Sequence, residues 1–278
     1  MSNYIILPMD CRKAMDYCMA PQSVHTVVTS PPYFGLRDYG VDGQLGLEPT
    51  PDEFVEALVE VFRSVRRVLR DDGTVWLNLG DSYNKDRQRQ MIPARVALAL
   101  VADGWVLRDE IIWHKPRTTP SSVKNRTVAA HEMIYLLAKK PDYHFDYLAI
   151  EEPAKYAGEV RQKGKVFRRL SDSRVGTKNQ TSQKAADEPF VVRQTRRKRS
   201  VWSVSPSPYK DAHFATFPPD LIEPCILAGC PVGGTVFDPF GGAGTTALVA
   251  LKHGRNAILS ELNPEYVALA HERIGAVR

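Results

Sequence analysis

Apolar and polar positions alternate along this chain with two periods, one typical of β-strands and one typical of α-helices. Short β-rich runs at 4–7 and 26–29 predict strands. Residues 51–69 carry apolar side chains three and four positions apart, which predicts a helix closed by the Asp-Asp-Gly sequence at 71–73. The same patterns predict helices at 92–102, 218–228, 245–253 and 264–274, the last with Asn263 as its N-cap, and strands at 74–79, 105–113, 130–137, 235–238 and 256–261.

Strands and helices that follow one another in this way predict an α/β fold, with a doubly wound and mainly parallel sheet. The pattern is interrupted after residue 150, where Lys, Arg, Gln, Ser and Thr are frequent and periodicity is weak. We therefore expect one large domain whose two halves, residues 1–150 and 206–278, are separated by an insertion at 151–205.

Positive charge is concentrated in this insertion. The chain of 278 residues has 37 basic and 32 acidic side chains, but residues 151–200 alone hold 14 basic and 6 acidic ones. The rest of the chain has 23 basic and 26 acidic residues. A basic patch of this kind attracts polyanions, most commonly nucleic acid, although a solvated flexible insertion has the same composition.

Several features favour a soluble cytoplasmic protein. No apolar run is long enough to span a membrane, and the apolar stretch near the N-terminus is too brief for a signal peptide. The cysteines at 11, 18, 225 and 230 have no CxxC spacing and no paired histidines nearby. We therefore expect no metal site, and we interpret the cysteines as small apolar side chains in a reducing compartment.

A glycine-rich turn follows the strand at 235–238. The segment 237–246 places Asp238 at the strand end, glycines in the turn and a helix start directly afterwards. Glycines let a ligand approach the backbone, and the helix N-terminus adds unpaired N–H groups. No lysine follows, so this is not a phosphate-binding P-loop. Glu261, 23 residues after Asp238, ends the next strand and can accept hydrogen bonds from ribose hydroxyls, which predicts a nucleoside-type cofactor.

A second chemical motif, Ser30-Pro31-Pro32-Tyr33, stands at the carboxyl end of the strand at 26–29. Prolines have no N–H, so this segment presents carbonyl groups without competing internal hydrogen bonds. A polar acceptor, carbonyls and an aromatic face suit a planar heterocycle whose amino lone pair is delocalised into the ring. Two acceptors holding the amino hydrogens favour a pyramidal nitrogen and aim its lone pair at an electrophile. An ordinary Pro-Pro turn with a buried ring is the alternative.

The segment from Ser30 to Tyr33 resembles the catalytic motif of the amino-methylating DNA methyltransferases, written Ser/Asp-Pro-Pro-Tyr. Residues 238–246 resemble the S-adenosylmethionine motif of that family. The catalytic motif comes first by about 210 residues, an order similar to that of the permuted β group. The resemblance implies a seven-stranded methyltransferase sheet, S-adenosylmethionine as cofactor and target recognition by the basic insertion. It implies catalytic roles for Ser30, Pro31, Pro32 and Tyr33.

Cofactor contacts follow from the same resemblance. Met9-Asp10-Cys11 is similar to the family's Gly-Asp turn near the cofactor adenine, with Met9 in place of the glycine. Residues 213–218 are similar to the segment that closes over the methionine part of the cofactor. The residues implied to bind the cofactor are Asp10, Cys11, Phe217, Asp238, Pro239, Phe240, Gly241, Gly242, Gly244, Thr245, Thr246, Glu261 and Asn263.

Basic side chains outside the two motifs are candidates for DNA contacts, with solvated positions as the alternative. One follows the catalytic turn, others lie in the loop at 117–126, and the rest lie in the basic insertion. His114, at the end of a predicted strand, is a candidate general base, with a position in a loop or facing DNA as the alternative. The DNA-contact candidates are Arg37, Lys124, Arg126, Arg168, Arg169, Arg196, Arg197, Lys198 and Arg199.

Ser30 with Thr29 before it resembles the enzymes that methylate cytosine at N4, so we expect a site-specific DNA methyltransferase of that specificity, acting on a flipped base. Methylation of adenine at N6 is the runner-up. An inactive DNA-binding protein on the same fold, and an enzyme acting on RNA or on a protein glutamine, are further alternatives. The expected partners are double-stranded DNA, near the nucleoid, and a cognate restriction endonuclease; a monomer and a homodimer both fit.

Overall fold

The computed structural model describes residues 3–118, 122–162, 189–206 and 217–276. The chain divides into two compact units, one made of Met1–Ala149 with Arg199–Arg278 and one made of Ile150–Lys198. The sequence-based candidates Arg168, Arg169 and residues 213–216 lie outside the described residues.

In chain order the helices are α1 (Cys11–Cys18), α2 (Pro51–Val68), α3 (Ile92–Ala102), α4 (Pro219–Gly229), α5 (Thr245–Lys252) and α6 (Pro264–Gly275). The strands are β1 (Tyr4–Leu7), β2 (Val24–Thr29), β3 (Leu69–Leu79), β4 (Val106–His114), β5 (His131–Ala138), β6 (Glu152–Pro153), β7 (Val160–Gln162), β8 (Pro189–Val191), β9 (Thr195–Arg196), β10 (Val201–Ser203), β11 (Thr235–Asp238) and β12 (Asn256–Ser260).

A mainly parallel sheet forms the centre of the first unit, which confirms the predicted fold class. Its order is β1-β12-β11-β2-β3-β5-β4-β10. The two late strands β11 and β12 lie between β1 and β2, so both ends of the chain contribute to one sheet. Asp238 pairs with Leu259, and Phe237 pairs with Val27. The carboxyl ends of β2, β11 and β12 therefore lie side by side.

The sheet contains eight strands among the described residues, one more than the seven that the family resemblance implies. The strand without a sequence prediction is β10, which pairs in parallel with the end of β4. Trp202 anchors it, because its buried indole Nε1 donates to the Arg199 carbonyl at 2.7 Å and its ring lies 6.3 Å from the Trp76 ring. A three-residue strand is too short to show a period of its own.

Strand β5 runs antiparallel to both β3 and β4. It therefore begins at the edge of the sheet where those two strands end. The register pairs His131 with His114, and Glu132 with Trp113. This places Glu132 at the edge where ligands bind in doubly wound folds.

Helix α2 begins with a capping box and packs its apolar face in the core. The Glu53 N–H donates to Thr50 Oγ1 at 3.3 Å, and the Glu53 carboxylate accepts from the Thr50 N–H at 3.2 Å. Phe54, Leu58 and Phe62 are fully buried. Burial of each such side chain contributes roughly 1.5–3 kcal/mol relative to an exposed position.

The predicted turn at 71–73 is wrong, because α2 passes directly into β3. Strand β3 approaches β2 closely at Gly73, where a Cβ would lie 2.8 Å from the His25 carbonyl oxygen. This position therefore needs glycine. The two aspartates pair with Arg70 and Lys140, each at 2.8 Å. Asp71 and Asp72, which are typical of turns, are tolerated near the exposed start of β3 because their charges are neutralised.

Helix α1 has no counterpart in the sequence-based prediction. Asp10 caps it by accepting from the N–H groups of Arg12 and Lys13. Ala14 and Met15 are completely buried. An eight-residue helix offers two turns of periodicity, which is too little to distinguish from a loop.

Among its described residues, the second unit contains two short antiparallel pairs, β6 with β9 and β7 with β8. Arg196 Nε lies 2.9 Å from Glu152 Oε1 across the first pair. Within the described ranges of both units, no helix is long and apolar enough to cross a membrane.

Candidate active site

A cavity of about 730 Å³ opens at the carboxyl edge of the sheet in the first unit. This volume falls within the range of small-molecule sites. The turns after β2, β11 and β12 and the start of β5 all contribute to its wall. The sequence-based candidates that line it are Asp10, Cys11, Ser30, Pro31, Pro32, Tyr33, Arg37, Phe217, Asp238, Pro239, Phe240, Gly241, Gly242, Thr245, Glu261 and Asn263.

The hydroxyl group of Tyr33 makes three hydrogen bonds. It donates to Glu132 Oε2 at 2.7 Å, and it accepts from Asn78 Nδ2 at 3.0 Å and from Ser30 Oγ at 3.2 Å. Burial, together with the charge of Glu132, raises the pKa of Tyr33 well above its ordinary value. The phenol is therefore a neutral hydrogen-bonding group at physiological pH.

Glu132 continues this network toward a lysine. Its Oε2 also accepts from Asn78 Nδ2 at 3.0 Å, and its Oε1 forms an ion pair with Lys115 Nζ. The Lys115 ammonium lies 4.3 Å from the centroid of the Trp113 ring, a cation–π contact that helps to orient it. A continuous chain of polar contacts therefore runs along the cavity wall from Ser30 to Lys115.

Gly80, directly after β3, makes room for the ring of Tyr33. A Cβ at this position would lie 2.5 Å from Tyr33 Cε2 and 2.8 Å from Tyr33 Cδ2, which real side chains do not tolerate. The ring therefore packs against bare backbone. Any side chain at position 80 would displace the ring.

Asp238 is buried and connects three segments of the fold. Its Oδ1 accepts from Thr29 Oγ1 at 2.6 Å and from the Phe240 N–H at 3.0 Å, and its Oδ2 accepts from Thr246 Oγ1 at 2.7 Å. Burial raises the pKa of Asp238 to about 6, against the opposing effect of these hydrogen bonds. The carboxyl group thus holds the glycine turn next to the end of β2.

Two candidates of the glycine turn, Gly244 and Thr246, do not line the cavity. Gly244 has a φ of +80°, a conformation that favours glycine, and a Cβ there would lie 3.0 Å from the Ala270 Cβ. These two residues therefore shape the turn. Gly242, with a φ of +49°, lines the cavity. A Cβ at this position would meet one atom within 4 Å, the Phe240 carbonyl oxygen at 3.9 Å, so there is open space beside the backbone here.

Glu261 is anchored by two backbone N–H groups. Its Oε2 accepts from Gly242 at 2.7 Å, and its Oε1 accepts from Asn263 at 2.8 Å. Burial raises the pKa of Glu261, although the backbone hydrogen bonds act in the other direction. Each carboxylate oxygen retains a lone pair, so this side chain can accept from two neighbouring hydroxyl groups. The Asn263 side chain itself caps α6 through the Glu265 N–H at 2.8 Å.

Asp10 and Cys11 form another part of the wall. Asp10 Oδ2 lies 3.0 Å from Arg12 Nη2. Burial alone would raise the pKa of Asp10, but the hydrogen bonds and charge of Arg12 outweigh it and lower this pKa below its ordinary value. Burial raises the pKa of Cys11 to about 12, so its thiol stays protonated.

The basic candidates for DNA contacts are dispersed. Arg37 lines the cavity, whereas Lys124 and Arg126 are exposed between β4 and β5. The Arg126 guanidinium lies 4.2 Å from the ring centroid of Tyr83, which belongs to the cavity wall. The second unit contains Arg196, Arg197 and Lys198, and the first unit contains Arg199.

Three polar residues of the hydrogen-bond network around Tyr33 are missing from the sequence-based set: Asn78, Lys115 and Glu132. Asn78 had a recognisable signal, because it is the polar residue in the otherwise apolar run 75–79 of β3. The contact between Lys115 and Glu132 had no sequence signal, because it depends on the antiparallel direction of β5. His114, the candidate general base, is exposed and does not line the cavity. Its Nδ1 lies 3.0 Å from Ser203 Oγ.

The fold and the cavity define a doubly wound α/β protein with a ligand site at the carboxyl edge of its sheet. A family model described as DNA methylase, N6_N4_Mtase, matches residues 24–272. The type II methyltransferase M.XycI of Xanthomonas campestris pv. cyanopsidis is 40% identical over 280 aligned residues, which cover 91% of this chain and 81% of that protein. The chain belongs to this family, the N4/N6 amino-methylating DNA methylases.

Solved structures share the fold. The PvuII DNA methyltransferase (cytosine-N4-specific) matches with a TM-score of 0.72 and 21% identity over 100% of this chain and 92% of its own. TTHA0409 of Thermus thermophilus, in complex with S-adenosyl-L-methionine, matches with a TM-score of 0.64 and 26% identity over 99% of this chain and 95% of its own. These similarities confirm the methyltransferase sheet inferred from the sequence.

Proposed function

We propose that this chain is a site-specific DNA methyltransferase that transfers a methyl group from S-adenosylmethionine to the exocyclic N4 of cytosine. One observation carries the proposal: Ser30 to Tyr33 and the glycine turn at 239–242 line the same cavity. A base-binding motif and a nucleoside-binding turn in one cavity allow direct transfer between two bound molecules. Such positioning can supply about 7–11 kcal/mol of the barrier reduction.

The cavity residues fit S-adenosylmethionine, which supplies an electrophilic methyl group on a sulfonium. Glu261 has a free lone pair on each oxygen for the ribose hydroxyls. The lack of a side chain at Gly242, whose N–H donates to Glu261, leaves open space on this side of the cavity. The remaining contacts are assigned to Asp10, Cys11, Phe217, Pro239, Phe240, Gly241, Thr245 and Asn263, while Asp238, Gly244 and Thr246 hold the turn in shape.

The other side of the cavity holds the target base after it has flipped out of the duplex. Ser30 Oγ accepts one hydrogen of the exocyclic amino group, and a carbonyl of the Pro31-Pro32 segment accepts the other. Both contacts turn the nitrogen lone pair out of conjugation and toward the methyl group. Tyr33 provides the aromatic surface. Transfer forms the N–C bond as the S–C bond of the sulfonium breaks, so the rest of the cofactor would leave as a neutral thioether, S-adenosylhomocysteine. The methylated nitrogen would then lose one proton to Ser30, a carbonyl or water.

Cytosine is proposed as the target because Ser30, preceded by Thr29, resembles the N4-cytosine enzymes. Adenine at N6 would use the same acceptors, but its two rings need a deeper pocket. Target recognition is assigned to the insertion at 151–205, where the excess of positive charge can neutralise DNA phosphates. A restriction endonuclease of matching specificity is the proposed functional partner.

The test is nucleoside mass spectrometry of DNA from cells that express the wild type or Ser30→Ala. We expect N4-methylcytosine with the wild type and none with the variant. N6-methyladenine in its place would keep the reaction and change the target. Absence of both, with S-adenosylmethionine still bound by the purified protein, would exclude methylation of DNA in favour of RNA, a protein glutamine or a binding function.

A further inference from the structure

A serine hydroxyl has a single hydrogen and can act as a donor or as an acceptor toward a base. The exocyclic amino group of a base offers only hydrogens, because its lone pair is delocalised into the ring. An aspartate in the same motif position would always accept. Ser30 accepts only when its own hydrogen is directed elsewhere, so something in the structure must control that hydrogen.

The polar chain on the cavity wall provides this control, and it starts at Glu132. Lysine ammonium and amide NH₂ groups only donate. Lys115 Nζ binds Oε1 of Glu132, and Asn78 Nδ2 lies 3.0 Å from Oε2, so both carboxylate oxygens are acceptors. The Tyr33 hydroxyl, 2.7 Å from Oε2, must then be the donor in that contact.

The direction of each later hydrogen bond follows from this one. With its single hydrogen committed to Glu132, the Tyr33 oxygen can only accept from its other neighbours. It accepts from Asn78 Nδ2 at 3.0 Å and from Ser30 Oγ at 3.2 Å. The hydrogen of Ser30 therefore points toward Tyr33, and the lone pairs of Ser30 Oγ remain available to the cavity that Ser30 lines.

We infer that Glu132, held by Lys115, sets the direction of the hydrogen-bond chain through Tyr33 and thereby makes Ser30 an acceptor for the amino group of the target base. The inference deepens the proposed function and rests on it. Glu132 is a positioning residue in this scheme, since it acts on the base through two other side chains. A carboxylate is required because an amide at this position can donate to Tyr33 and reverse the chain.

Two substitutions of Glu132 separate hydrogen-bond direction from packing. Glu132→Gln keeps the shape but adds a donor, whereas Glu132→Asp shortens the side chain but remains an acceptor. We expect single-turnover methylation at saturating S-adenosylmethionine and DNA to fall in the order wild type, Glu132→Asp, Glu132→Gln. The loss in Glu132→Gln should be on the order of 10²-fold, as for removal of one preorganised polar group. A purely structural role predicts the opposite order for the two variants.

A double-mutant cycle with Tyr33→Phe completes the test. Once the phenol is removed, Glu132→Gln should cause no further loss of rate, and independent losses would contradict the inference. Glu110→Gln, an exposed glutamate of β4 outside the cavity wall, is the matched control. Thermal unfolding and cofactor affinity report on folding; if Glu132→Gln does not fold, an unchanged rate in Tyr33→Phe would overturn the inference. A wild type that methylates neither base contradicts the proposed function itself.

Discussion

Thr29 Oγ1 donates a 2.6 Å hydrogen bond to Asp238 Oδ1, which joins two residues 209 positions apart in the chain. Thr29 precedes the Ser-Pro-Pro-Tyr motif, and Asp238 precedes the glycine turn. Both side chains are buried. The bond therefore fixes the distance between the proposed base-binding and cofactor-binding halves of the cavity, and transfer between two bound molecules depends on that distance.

Removal of the Thr29 hydroxyl should weaken the fold. Thr29→Val keeps the shape of the side chain but leaves the buried Asp238 with one donor fewer. The expected loss in the free energy of unfolding is about 1.5–3 kcal/mol, as for hydrogen bonds to charged groups. Urea unfolding measures it, with Thr29→Ser as the control that retains the hydroxyl. Equal stability of Thr29→Val and wild type would contradict this account.

The raised pKa of Asp238 predicts a specific dependence of stability on pH. Its pKa is about 6 in the folded protein against 3.8 for an ordinary aspartate, so the folded state holds an extra proton between these values. Stability from this group is complete below about pH 4 and is lost as the pH rises through about 6. The test compares the free energy of unfolding of the wild type with that of Asp238→Asn at several pH values. The difference, wild type minus variant, should fall by up to roughly 3 kcal/mol between about pH 4 and pH 6. A constant difference would mean that the pKa is not raised.

Glu261 should be required for cofactor affinity. Glu261→Gln replaces one acceptor oxygen by a donor, so it loses the backbone N–H at that oxygen and one proposed ribose contact. We expect the Kd for S-adenosylmethionine, measured by calorimetry, to rise roughly 10- to 100-fold, equivalent to 1.5–3 kcal/mol for one charged hydrogen bond. Glu265→Gln, an exposed acid at the start of α6, is the matched control. Equal affinity for both variants would remove Glu261 from the cofactor site.

Gly80→Ala should reduce methylation without abolishing cofactor binding. The added methyl group would lie 2.5 Å from Tyr33 Cε2 and must displace the ring from its contact with Glu132. Single-turnover rate and cofactor affinity are measured separately, and only the rate should fall. Gly275→Ala, where a Cβ has no neighbour within 4 Å, is the control. A normal rate in Gly80→Ala would show that the position of the ring is not critical.

The basic residues of the exposed segment 122–129, between β4 and β5, should contribute to DNA affinity through charge. Lys124→Ala and Arg126→Ala should each weaken DNA binding by the same factor whatever the DNA sequence. Each should also reduce the salt slope, which is the change of log K with log salt concentration, by about 0.9 for each phosphate that is no longer neutralised. Fluorescence anisotropy at several salt concentrations measures this slope. Lys140→Ala is the control, because Lys140 follows β5 at the opposite edge of the sheet. If both variants have the same salt slope as this control, Lys124 and Arg126 do not contact DNA phosphates.

Much of the fold could be predicted because its signals are local. The apolar spacing predicted the helix at 92–102 with the bounds of α3, and it predicted the strand at 235–238 with those of β11. The two motifs were identified by residue type and order, and their residues line one cavity in the structure, except for Gly244 and Thr246. The errors occurred where local composition misleads. The Asp-Asp-Gly sequence at 71–73 is typical of a turn, but neighbouring charges and the close approach of β2 keep it in a strand.

The sequence by itself determined seven of the eight strands that the described residues place in the main sheet and the two motifs proposed to carry the chemistry, because each of these depends on side chains close together in the chain. Only the tertiary structure decided that β5 enters the sheet antiparallel, which brings Glu132 to Tyr33 and to Lys115. It also decided that Gly80 supports the ring of Tyr33. The direction of a strand and the contacts at its end follow from pairing between segments distant in sequence, and hydrophobic periodicity is the same whichever way a strand runs.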